Sequence, residues 1–240
     1  MARDQMTALK RSRIRHKTYR LIASKYPTVG VFDDLASDPG DLRAAFILEA
    51  LTNDRLSAQG INLLPDEEII AEPVDSGASI VMAAFLHADE AGRRFTDGRL
   101  GGWYAACGLE TAIADTIHHN ARRLRLSAGG FPNRIQIREL IVTIKSDFVD
   151  VRGLQKNRPE LYRDADYSAS QAFASEIRWP KSPPPENGIV FDSVRRKSGT
   201  NVCIFWPSKV PLPVVQGDHF EYQWDAAGHP TVMKLTNIAL

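Results

Sequence analysis

Four widely spaced side chains carry the chemistry this sequence could do: Arg94, Tyr104, Asp115 and Ser193. A guanidinium offers a rigid donor fork that suits a phosphate-type anion. A tyrosine ring can stack on a flat ligand while its hydroxyl forms a hydrogen bond. A carboxylate can stabilise positive charge developing on a reacting centre. A serine hydroxyl can hold a ligand or an attacking group. Taken singly, each has an ordinary structural explanation. Arg94 beside Arg93 reads as a solvated loop residue, Tyr104 as core, Asp115 as helix surface and Ser193 as strand filler.

Their order and surroundings make a pattern. Arg94-Phe95 leads through Gly98 to Trp103-Tyr104-Ala105-Ala106, then to Thr111-Ala112-Ile113-Ala114-Asp115. Much later, Gly188-Ile189-Val190-Phe191-Asp192-Ser193-Val194 runs into Asn201-Val202-Cys203-Ile204-Phe205. This pattern resembles the RES-domain family, over roughly residues 78–226, with Tyr19-Arg20-Leu21 as an outlying match to the family's opening segment. By that resemblance Arg94, Tyr104, Asp115 and Ser193 are the catalytic positions, and Arg20 and Asn201 are substrate-binding candidates. The family has glutamate where this chain has Asp115. Aspartate is shorter by about 1.5 Å, one carbon–carbon bond, and Glu110 lies more than one helical turn earlier, too far to replace it.

The resemblance implies an ADP-ribosyltransferase-like fold and an NAD+-cleaving toxin of a toxin–antitoxin pair, with an Xre-type antitoxin as partner. The nicotinamide–ribose bond would break by phosphorolysis or hydrolysis, with NAD+ as substrate, phosphate as a candidate co-substrate and no bound cofactor. Two alternatives stay open. One is a mono-ADP-ribosyltransferase that passes ADP-ribose to a protein. The other is a nucleotide- or partner-binding module whose catalysis the aspartate has impaired.

Other chemistries find little support. The sequence has no Walker-type loop, no Rossmann fingerprint and no Gly-x-Ser-x-Gly elbow. His118 and His119 are adjacent, so they lack the spacing of a zincin pair, and no metal site is expected. Cys107 and Cys203 do not form a Cys-x-x-Cys motif, and the chain reads as cytoplasmic. No apolar run is long enough for a membrane span, and no apolar stretch of a secretory signal follows the basic start. A net charge of +1 argues against bulk attraction to polyanions. A homo-oligomer is allowed.

The elements that must position these groups suggest an α+β fold, a mixed sheet with flanking helices. Residues 1–77 read as a partly helical N-terminal extension and 78–240 as the RES-like domain. The basic start (Arg3, Lys10, Arg11, Arg13, Arg15, Lys17, Arg20) is expected to be solvated and frayed. Helical spacing marks 41–53, capped by Asp41, and 109–126, whose last turn carries Arg122, Arg123 and Arg125. A third helix is expected over 168–179. Strands are expected near 69–71, at 103–106, over 135–144, and at 188–194, 201–206, 219–224 and 231–235. The apolar run 79–85 fits either period.

Overall fold

The computed structural model describes residues 9–26, 38–51, 58–71, 76–182 and 184–236. Arg3, Asn53, Pro73 and Pro183 lie outside them. The architecture is the expected α+β arrangement, a seven-stranded sheet with helices on both faces. Strands β1 (Arg11–Ala23), β2 (Trp103–Ala106), β3 (Asn133–Asp150), β4 (Gly188–Asp192), β5 (Thr200–Ile204), β6 (Val215–Trp224) and β7 (Pro230–Leu235) run in the order β1-β2-β5-β4-β3-β6-β7. A further pairing of β1 with β3 closes β1, β2, β5, β4 and β3 into a circuit. Only the β3–β4 pairing is parallel.

The basic N-terminal segment is not frayed. All thirteen residues of β1 pair antiparallel with β3, from Arg11↔Val149 to Ala23↔Ile137. Ile14 and Thr18 point into one core, and Leu21 and Ala23 into another. The charged side chains Arg13, Arg15 and Lys17 alternate outward along the first half, as a strand's two-residue period requires. A domain boundary at 77/78 would therefore cut a strand from the sheet it belongs to.

Helix α1 (Pro39–Ala50) starts two residues before the expected cap. Asp38 is the N-cap, and its carboxylate accepts from the Gly40 and Asp41 amides. The short α2 (Ala58–Leu63) follows, and then a 3-10 turn at Asp66–Glu68 precedes 69–71, where the expected strand is absent. The ambiguous apolar run is helix α3 (Ala78–Leu86). Its buried residues Ala78, Val81, Met82, Phe85 and Leu86 keep helical spacing, and the last four pack in one cluster with Ile14, Val142, Ile144 and Phe148 of the sheet.

On another face lies α4 (Leu109–Leu126), with the expected bounds. Ala112, Ala121 and Leu124 sit on Leu21, Phe220, Tyr222 and Trp224. Helix α5 (Ser168–Arg178) covers a third cluster of Phe95, Leu161, Ile177, Ile189 and Phe205. The late strands fall where the pattern put them, with ends shifted by a few residues. β3 is much longer than expected, because it is the strand against which β1, β4 and β6 all pair.

One consequence is testable. A fragment starting at residue 78 lacks β1 and leaves β3 with an unpaired edge along its length. It is expected to lose the cooperative thermal transition of the full chain and to aggregate. A fragment 78–240 that melts cooperatively would show β1 to be dispensable.

Candidate functional site

The site forms where β2, α4 and the ends of β4 and β5 meet. β2 and β5 are antiparallel neighbours, with Tyr104 opposite Cys203 and Ala106 opposite Asn201. β4 continues this, placing Phe191 opposite Asn201. Beyond β4 the chain turns tightly, and the Ser193 amide donates to the Gly199 carbonyl. Helix α4 leaves β2 through Cys107 and Gly108, and its first turn packs against this loop. A Cβ on Gly199 would stand 2.7 Å from Thr111 Cγ2 and 2.8 Å from its Oγ1, so only glycine permits this approach.

One turn further along α4, the approach brings Asp115 onto the late strands. Ser193 Oγ donates to Asp115 Oδ1 at 3.0 Å, and Asn201 Nδ2 donates to Oδ2 at 2.7 Å. Ser193 Oγ also accepts from the amides of Arg195, at 3.1 Å, and Arg196, at 3.2 Å. The sequence thus brings together a carboxylate, a hydroxyl and an amide from three separate segments. Burial pushes the Asp115 carboxyl pKa up. The bonds from Asn201 and Ser193 and the charges of Arg195 and Arg94 oppose that shift.

Arg94 is 7% exposed. Its Nη1 donates to the carbonyls of Leu161 and Arg163, both at 2.9 Å, and its guanidinium lies 5.0 Å from the Tyr167 ring centroid. Burial lowers its pKa, and Tyr167, Tyr104 and Asp115 partly offset this electrostatically. Arg94 therefore fastens the 159–167 segment as well as lending positive potential to Asp115.

The Tyr104 hydroxyl faces inward. It accepts from the Phe95 amide at 2.9 Å and bonds Thr96 Oγ1 at 3.1 Å. Both partners belong to the tight turn closed by reciprocal Arg93–Thr96 backbone bonds, the turn that carries Arg94. Burial keeps the phenol protonated, raising its pKa well above the usual value. Arg20 sits behind the same strand. Its Nη1 donates to the Tyr104 carbonyl at 3.1 Å, and its guanidinium lies 4.8 Å from the Trp103 ring centroid. It strengthens the β1–β2 seam, where the strands share only the Tyr19↔Ala106 pair. Burial, with Arg93 nearby, brings its pKa down to about 10.

Several contributors escape sequence reading. Arg195 forms an ion pair with Asp164 and joins the loop after β4 to the 159–167 segment. Its only sequence signal is its place two residues after Ser193. Arg178 is buried, donates to the carbonyls of Leu100, Gly101 and Phe205, and clamps α5 to the glycine loop ahead of β2. His119, one helical turn beyond Asp115, is held neutral, with its pKa pushed down to about 3 by burial and by Arg93, His118, Arg195 and Arg94.

A family model described as RES domain matches residues 71–225. An uncharacterized protein of Sinorhizobium fredii, y4oC, is 23% identical over 215 residues, covering 88% of this chain and 84% of its own. Among solved structures, the crystal structure of the M. tuberculosis MbcT-MbcA toxin-antitoxin complex is similar over 90% of this chain and 88% of that chain, at 10% identity and a TM-score of 0.41.

The inward hydroxyl gives a prediction. Tyr104→Phe removes a partner from the Phe95 amide and from Thr96, which is 3% exposed. Stability in urea is expected to fall by about 1–3 kcal/mol, the usual cost of stranding a buried polar group. Unchanged stability would mean that this hydroxyl does not hold the turn.

Proposed function

The chain belongs to the RES-domain family, and on that premise we propose that it is the toxin of a toxin–antitoxin pair and cleaves NAD+ at the nicotinamide–ribose bond. The observation that carries this reading is the half-buried Asp115 carboxylate, held by Ser193 and Asn201 within electrostatic reach of Arg94 and Arg195. Heterolysis of the C1′–N1 bond releases neutral nicotinamide and leaves oxocarbenium charge on the ribose. A fixed carboxylate beside that carbon lowers the energy of the charged state. Water then adds at C1′ to give ADP-ribose and a proton, or phosphate adds to give ADP-ribose phosphate.

Arg94 uses Nη1 to fasten its neighbouring carbonyls, and we assign Nη2 to the pyrophosphate, whose two charges favour a guanidinium. Tyr104 contributes its ring to the nicotinamide end, because its hydroxyl is engaged with Phe95 and Thr96. Arg20 acts through the Tyr104 backbone. The partner we assign is an Xre-type antitoxin that places an anionic group against Arg94 and blocks NAD+ entry. No helix among the described residues is long and apolar enough to cross a membrane.

The test is nicotinamide release from NAD+ by the pure protein, with and without phosphate, and mass analysis of the ribose product. The wild-type chain is expected to release nicotinamide. Arg94→Ala is expected to lose roughly 100-fold in turnover, the scale set by misplacing a bound substrate, and Asp115→Ala to lose activity altogether while still folding. Asp115→Glu is expected to be slower than the parent, since the longer arm overshoots donors that already sit at 2.7 and 3.0 Å. No release by folded wild-type protein over hours sinks the enzymatic reading. ADP-ribose found on a protein instead would redirect it to transferase activity.

A further inference from the structure

We infer that Asn201 is a positioning residue, whose side-chain amide fixes the direction of the Asp115 carboxylate, and that it makes no contact with substrate. The inference rests on the NAD+-cleaving reading for its kinetic consequence and on geometry alone for its structural part.

Asn201 sits where three strands pair. It lies opposite Ala106 of β2 and Phe191 of β4, and it is 8% exposed. Its backbone is therefore held from both sides, and little of its side chain is left for a ligand to meet. Nδ2 donates to Asp115 Oδ2 at 2.7 Å, the short distance typical of a hydrogen bond to a charged acceptor. Asp115 comes from α4 and Asn201 from β5, so this bond also sets how closely the helix lies on the sheet.

The second donor is oriented by the protein. Ser193 Oγ accepts from two backbone amides, of Arg195 and Arg196, which occupy its lone pairs. Its one hydrogen is thereby directed at Asp115 Oδ1. Each carboxylate oxygen thus has one fixed donor, and neither donor titrates near neutral pH. The charged groups that act on Asp115 are Arg195 from the loop after β4 and Arg94 from the turn before β2. His118 and His119 follow it on α4 itself. Both are shifted toward the neutral form by burial and neighbouring arginines. Against the cost of burying the carboxylate, the Asn201 bond is the largest opposing influence.

An amide at this place also suits the shorter aspartate. A carboxylate on a longer arm could reach a ligand while bending toward several donors. On the shorter arm it depends on a donor that comes to it, and β5 carries that donor to 2.7 Å.

Two measurements test this on the full chain. The first is the pH dependence of nicotinamide release, resolved into kcat and KM. The second is the titration of the Asp115 Cγ signal by carbon NMR, which needs no activity. Asn201→Ala is expected to lower kcat roughly tenfold or more while KM stays within about threefold. Its acid limb and the Asp115 titration should both move up by about one pH unit, as loss of a hydrogen bond to the charged form requires. In an Asp115→Asn background the same substitution should cost nothing further. Asn201→Asp, nearly isosteric, serves if the alanine variant does not fold. It sets two carboxylates in contact, so the pair should hold a proton to higher pH. A KM that rises with kcat unchanged would make Asn201 a substrate contact and overturn the inference. So would an Asp115 titration that does not move in a folded variant. If the wild type releases no nicotinamide, the NAD+ reading fails, while the carbon titration still decides the role of Asn201.

Discussion

The site depends on how a half-buried carboxylate is held. Asp115 leaves water on folding, and burial alone would drive it toward the neutral acid. Its two donors come from segments far apart in sequence, Ser193 after β4 and Asn201 on β5. For both to reach it, α4 must lie close on the late strands. That closeness is set by the absence of a Cβ at Gly199, opposite Thr111. A larger residue there would push the first turn of α4 outward and strand the carboxylate.

The arginines around this point divide into those that build and those that face Asp115. Arg178 ties α5 to the glycine loop, and Arg20 ties β1 to β2. Both lie over aromatic rings and donate to carbonyl oxygens, Arg178 to three and Arg20 to that of Tyr104. Arg94 and Arg195 do both jobs. Each fastens the 159–167 segment, through the Leu161 and Arg163 carbonyls or through Asp164, and each lends positive potential to Asp115. Burial, with Arg93, His118 and these two arginines, shifts His119 toward the neutral form, a turn beyond the carboxylate on α4. Such a surface can meet an anionic ligand without adding a second titrating group.

Much of this was legible in the sequence, for physical reasons. α4 announces itself by its amphipathic period and basic last turn, and the late strands by β-branched runs between turns. The RES-type order singled out Arg94, Tyr104, Asp115 and Ser193, and the fold gathers Asp115, Ser193 and Asn201 within hydrogen-bond distance. What stayed hidden depends on contacts that no local pattern encodes. β1 reads as a charged tail because it is buried on one face at Ile14 and Thr18, then on the other at Leu21 and Ala23 where α4 covers it. That change of face breaks the alternation by which a half-buried strand is recognised. The run 79–85 is apolar nearly all round, so its helical period shows only once Ala78 and Leu86 are included.

Tyr104 in its apolar strand reads from sequence either as core or as a ring that stacks on a ligand. Here the register sets Tyr104 opposite Cys203 and sends its hydroxyl to the Phe95 amide and Thr96, nine and eight residues earlier in the chain. The hydroxyl thereby fixes the turn on which Arg94 stands, and Arg94 in turn fixes the 159–167 segment. A chain of polar contacts, Arg20 to the Tyr104 backbone, Tyr104 to the turn and Arg94 to the segment, runs from the first strand of the sheet to the 159–167 segment. Each link satisfies a group that would otherwise be costly to bury. The basic N-terminal strand is thus a structural part of the site although none of its residues touches Asp115 in the described bonds.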